Sequence, residues 1–116
     1  MSFTRIQGVL HAEQCSLEQL AQQFSTPLYV YSKASFEKHY LDLDQAFSYI
    51  DHQICFAVKS NSNLAVLNVL AKLGAGFDIV TGGELARVLA AGGDATKIVF
   101  SGLGKQEADI QKALEV

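Results

Sequence analysis

Hydrophobic and polar positions follow two periods along this chain. Leu17, Leu20, Ala21 and Phe24 recur at helical spacing behind Ser16, a residue type that caps helix N-termini. A short strand around Gly8, Val9 and Leu10 precedes that helix, and Thr26-Pro27 ends it, because the residue before proline is steered away from the α region. Leu28 to Tyr31 then reads as a strand. Ser32 and Ser35 are candidate caps for a helix with Phe36, Tyr40, Leu43 and Phe47 on one face. Ile54 to Val58 is a continuous apolar run, which suits a strand buried on both faces of a parallel sheet.

The same alternation continues to the end. Asn63 caps a helix through Leu73, closed by Gly74 and Gly76. Phe77 to Val80 is a strand, Thr81-Gly82-Gly83 its turn, and Glu84 to Ala91 the next helix. Lys97 to Phe100 is another strand, Ser101 to Gly104 its turn, and residues 105 to about 115 one more helix. Three βα units joined by short connections predict a parallel sheet with right-handed crossovers. The chain stops after Ala113–Val116 with no glycine cap and no following strand. A closed (β/α)8 barrel takes about 250 residues. The reading is therefore an α/β chain forming part of a TIM-type barrel, with about three βα units. The alternative is a small open α/β sheet. Residues 1–25 form an N-terminal strand and helix segment, and residues 26–116 the first part of the barrel.

Composition narrows the function classes. Apolar residues make up 49% of the 116, and 9 basic against 12 acidic residues leave a net charge of −3, which excludes a disordered chain. No basic cluster invites nucleic acid, and no apolar run reaches the about 18 residues of a membrane span. Residues 1–5 are not followed by an apolar signal core, so the expected location is cytoplasmic. The two cysteines, Cys15 and Cys55, are expected to be reduced, with Cys55 packing as a small hydrophobe. His11, His39 and His52 show no metal-ligand spacing, so no metal site is expected.

In a parallel α/β sheet the chemistry sits at the carboxyl ends of the strands. Lys59 ends the 54–58 run there. A partly desolvated primary amine at such a rim can attack a carbonyl as the neutral species. Spacing alone favours a lysine that simply ends a strand in water. Asp78 lies between Phe77 and Ile79, where a carboxylate needs a cation or hydrogen-bond donors. Lys59, a cofactor group, or backbone N–H groups of the next turn are the three candidates. Glu84 begins a helix, where its charge complements the dipole. Thr81-Gly82-Gly83 lies at a helix start and could accept an anion, although a plain strand-to-helix turn explains it as well. Gly74-Ala75-Gly76 and Gly102-Leu103-Gly104-Lys105 lack the residues of dinucleotide and P-loop fingerprints.

Several stretches in order carry a resemblance: Thr26–Tyr31, Phe56–Asn61, Gly76–Leu85, and Phe100-Ser101-Gly102 with Gly104-Lys105. Through them the chain resembles the N-terminal part of the diaminopimelate decarboxylases, fold-type III pyridoxal-phosphate enzymes related to alanine racemase and ornithine decarboxylase. The resemblance implies that Lys59 holds pyridoxal phosphate and that Asp78 lies beside it. It also implies that Glu84 sits near the active-site rim. The implied reaction is decarboxylation of meso-diaminopimelate to lysine, in bacterial lysine synthesis.

The family fold is a β/α barrel followed by a β-rich domain, which the first strand joins. Most of the family's active site, including a second subunit's contribution, lies beyond residue 116. The resemblance thus implies a homo-oligomeric parent with a small amino-acid substrate, and a chain inactive alone. Relatives acting on ornithine, arginine or carboxynorspermidine are the alternatives within the family. Two readings outside it are a non-catalytic, self-associating barrel piece and an aldolase-type lysine without pyridoxal phosphate.

Overall fold

Four helices start where a polar side chain is available to accept a free N–H of the first turn. Ser16 accepts from the Gln19 N–H at 3.4 Å, Ser32 from Ser35 at 3.1 Å, Asn63 from Ala65 at 2.9 Å and Thr81 from Glu84 at 3.1 Å. In the computed structural model, which describes residues 2–116, these caps open α1 (Leu17–Phe24), α2 (Lys33–Ala46), α3 (Leu64–Lys72) and α4 (Gly82–Ala90). A fifth helix, α5 (Glu107–Glu115), closes the chain. Gly82 and Gly83 belong to the first turn of α4 and not to a preceding loop, because the capping hydroxyl is that of Thr81.

The N-terminal segment holds more strand than its pattern predicts. β1 (Phe3–Ile6), β2 (Val9–Ala12) and β3 (Cys15–Ser16) form a three-stranded antiparallel sheet. The expected strand around Gly8 begins one residue later. Gln7 at φ 50° and Gly8 at φ 85° form the tight turn between β1 and β2. The first strand thus finds its partner within this chain, pairing Phe3 with Ala12 and Ile6 with Val9.

The second sheet is parallel, in the order β4 (Cys55–Ala57), β5 (Gly76–Ile79), β6 (Ile98–Phe100). The predicted sheet direction holds, with two corrections. Leu28–Tyr31 pairs with no strand, because no ladder partner lies beside it among the described residues. The 54–58 strand is shorter than predicted, because the backbone coils into a 3-10 turn over Val58–Ser60. Gly76 is required where β5 begins: a Cβ there would stand 2.5 Å from the Lys97 carbonyl oxygen and 2.8 Å from Cys55 Sγ.

One face of this sheet carries the core. Phe77 and Ile79 are fully buried and pack with Val58, Leu67, Leu85 and Val88 from the turn after β4 and from α3 and α4. The other face is open. Residues of β4 are only half-buried, and Val99 on β6 is half exposed. The prediction of a strand covered on both faces is therefore corrected for β4, since helices cover one face only. The chain is elongated, with principal extents of 54 × 39 × 22 Å and a radius of gyration of 17.0 Å, against about 13 Å for a compact chain of this length.

Candidate functional site

Register fixes which residues share an edge. Ala57 of β4 stands opposite Asp78 of β5, and Asp78 opposite Val99 of β6. Successive side chains on a strand alternate in direction. Phe77 and Ile79 enter the helix-covered core, so Asp78 projects to the open face. Lys59 follows Ala57 by two residues, and Ser101 follows Phe100, the register partner of Ile79. All three parallel strands thus deliver a polar residue to one carboxyl edge: Lys59, Asp78 and Ser101.

The turn that carries Lys59 is held by its neighbours. Ser60 Oγ donates to the Ala57 carbonyl at 2.7 Å, and the Asn61 N–H donates to the Val58 carbonyl at 3.0 Å. Arg87 of α4 donates to the Ser62 carbonyl at 3.2 Å, tying this loop to the next βα unit. Asn61 Oδ1 accepts from the Asn63 N–H at 3.0 Å. Lys59 itself is exposed and joins none of the ion pairs among the described residues. The expected partial desolvation of this amine is corrected, because the three strands leave the rim beside it uncovered.

Asp78 is half-buried, and among the described residues its hydrogen-bond partner is neither Lys59 nor a backbone N–H of the next turn. Ser101 Oγ donates to Asp78 Oδ1 at 2.6 Å. Sequence reasoning treated Ser101 as a turn residue. Its position immediately after a strand, at the same edge as Lys59, was the available signal. Glu84 acts locally: its Oε2 accepts the Val80 N–H at 2.6 Å, while its own N–H goes to Thr81. That reciprocal arrangement is a capping box reaching one residue further back. The turn that was a candidate anion site therefore already has its cap.

An apolar cavity of about 570 Å³ lies between α2 and β4, lined in part by Tyr31, Phe36, Tyr40, Phe56 and Ala57. Neither Lys59 nor Asp78 lines it, so it is not where the polar edge works. Burial there raises the Tyr40 phenol above its ordinary value, with the Asp44 charge adding to the effect. Cys55 also lines this cavity and is half-buried, as a small hydrophobe would be, and both cysteines are free. His52 is held by the Ile50 carbonyl at 3.1 Å and by Asp44 at 3.1 Å, and these contacts raise its pKa. No helix among the described residues is long and apolar enough to cross a membrane.

A parallel three-stranded βα sheet fits the opening section of a β/α barrel, a fold whose chemistry sits at the carboxyl edge of the strands. Residues 33–116 match the family described as pyridoxal-dependent decarboxylase, pyridoxal binding domain, and the chain belongs to that family. Among curated relatives, the diaminopimelate decarboxylase of Haemophilus influenzae is 62% identical over 107 residues, covering 92% of this chain and 26% of the relative. That of Vibrio cholerae is 59% identical over 109 residues, covering 94% and 26%. The chain thus spans about a quarter of the length of these relatives. Among solved structures, diaminopimelate decarboxylase from M. jannaschii in complex with L-lysine superposes with a TM-score of 0.93 at 32% identity, over 98% of this chain and 28% of that one. Lysine/ornithine decarboxylase from Vibrio vulnificus, complexed with cadaverine, gives 0.77 at 28% identity, over 85% and 27%.

The cofactor of this family suits the donor set. An aldehyde group needs a primary amine without a competing ion pair, which Lys59 provides. A carboxylate with one oxygen already fixed, as in Asp78, can receive a hydrogen bond or a cationic group on the other.

Proposed function

We propose that this chain is the N-terminal part of a pyridoxal-phosphate decarboxylase acting on meso-diaminopimelate, releasing carbon dioxide and L-lysine. Lys59 holds the cofactor and Asp78 lies beside it. The observation that carries the reading is the Ala57–Asp78 register, which sets an amine and a carboxylate on neighbouring strand ends. The high identity to relatives named diaminopimelate decarboxylase supports the substrate over ornithine.

Bound pyridoxal phosphate supplies an electron-withdrawing ring that takes up the electron pair left when a carboxylate departs. Lys59 contributes the covalent attachment point. The bonds around Ser60, Asn61 and Ser62 hold the backbone that carries Lys59, so only the side chain's own torsions remain to be ordered when the amine reacts. Asp78 contributes a fixed negative charge on the open face.

In this reading residues 1–25 form a separate N-terminal segment and residues 26–116 open the barrel. The parent is a homo-oligomer in this reading. The test is Lys59→Ala in the full-length protein, with carbon dioxide release from meso-diaminopimelate as the readout. Turnover is expected to vanish. Retained turnover, or a preference of the unaltered protein for ornithine, overturns the reading.

A further inference from the structure

We infer that Ser101 is a positioning residue that fixes the carboxylate plane of Asp78 at the cofactor edge; this rests on the reading of Asp78 given above. The distance of 2.6 Å between Ser101 Oγ and Asp78 Oδ1 lies in the range of short hydroxyl-to-carboxylate bonds. The alternative acceptor for that hydroxyl, the Ile79 carbonyl, is 3.5 Å away and too long to compete. The serine has little freedom. Its N–H donates to the Ile79 carbonyl at 2.8 Å, extending the β5–β6 ladder by one bond. The next residue, Gly102, holds φ at 86°, and a Cβ there would stand 3.2 Å from Val80 Cβ. Backbone on both sides thus sets where the hydroxyl sits.

The consequence is directional. Tying Oδ1 to β6 stops rotation of the carboxylate about its last bond. Oδ2 makes no hydrogen bond among the described residues and is left for the open face that Asp78 shares with Ala57 and Val99. The 23-residue separation means that one βα unit orients the side chain of another. A serine that merely satisfied a half-buried carboxylate would affect folding and nothing else. A positioning serine affects how tightly the cofactor is held and how fast the bound substrate reacts.

The experiment uses the full-length protein. Ser101→Thr keeps the hydroxyl, Ser101→Val has the same shape without it, and Ser101→Ala guards against misfolding of the branched variants. Pyridoxal phosphate affinity is read by fluorescence titration, turnover as kcat and KM separately, and folding by the thermal midpoint of the cofactor-free protein. The Val and Ala variants are expected to lose about tenfold in cofactor affinity or kcat, with KM little changed and the Thr variant near the parent. In an Asp78→Ala background, Ser101→Ala should add nothing further. Equal behaviour of Thr and Val, or full additivity with Asp78→Ala, overturns the inference while leaving Asp78 in the site. If Asp78→Ala alone changes neither affinity nor kcat, the role of Asp78 itself falls, and the positioning role with it.

Discussion

Glu84 Oε2 accepts the Val80 N–H at 2.6 Å, so the helix that follows β5 reaches back to hold the strand's last turn. The carboxyl edge is therefore built by capping chemistry before any cofactor is considered. Thr81 and Glu84 satisfy donors at the start of α4, and the same bonds fix the backbone just beyond Asp78.

Removing either member of this pair should destabilise the fold. Glu84→Ala and Thr81→Ala are each expected to cost about 1 kcal/mol, the usual loss on deleting a helix cap. Urea unfolding of the chain measures this directly. Glu84→Gln keeps an acceptor oxygen and should recover most of the loss. Unchanged unfolding midpoints for Glu84→Ala would mean that the Val80 N–H finds another acceptor.

Phe77 is fully buried at the centre of the cluster under β5. Phe77→Ala removes the largest side chain of that cluster, and about 3–5 kcal/mol is the expected cost. Since this is the one helix-covered core among the described residues, the variant should lose cooperative unfolding altogether. Circular dichroism melts that retain a sharp transition would contradict the assignment of the core.

Glu13 joins the N-terminal sheet to the barrel part. It accepts from Ser32 Oγ at 2.7 Å and from the Ala34 N–H at 2.9 Å. The Ala34 bond, then the Ser32 bond, lowers its pKa below the ordinary glutamate value. A carboxyl lowered on folding contributes stability that is fully present above its unfolded-state pKa. That contribution is lost as pH falls through the lowered value. Glu13→Gln should therefore flatten the acid limb of the stability curve, measured by thermal midpoints between neutral pH and acid. An identical acid limb in parent and variant would show that the tether does not form in solution.

The helices were legible because their signals are local. Ser16, Ser32 and Asn63 each sit directly before a helical run and cap it as expected, whereas Thr81, read as a turn residue, caps a helix that starts two residues earlier than its pattern predicts. The parallel sheet was legible from the alternation of strand and helix runs. What the pattern did not reveal depends on partners distant in sequence. Leu28–Tyr31 has the composition of a strand, but composition cannot supply a neighbouring strand to pair with it. β1 was missed because its turn uses Gln7 at positive φ, a conformation that glutamine does not advertise. Val58 looked like a continuing strand, yet Ser60 and Asn61 bond back to the preceding carbonyls and coil the chain.

The site shows the same division. Lys59 stood out at the end of an apolar run, and Asp78 as a charge inside one. The Ser101–Asp78 bond did not, since 23 residues separate its ends and a serine after a strand reads as a turn. On spacing Glu84 read as a cap, with a place near the rim implied only by the family resemblance, and its bond to Val80 makes it a cap.

The most direct measurement is where pyridoxal phosphate attaches. The full-length protein, incubated with the cofactor and reduced with borohydride, is digested and its modified peptide sequenced by mass spectrometry. A single pyridoxyl group on Lys59 is the expected result. A label spread over Lys33, Lys38 and the other lysines, or placed on one of them in preference to Lys59, would contradict the account.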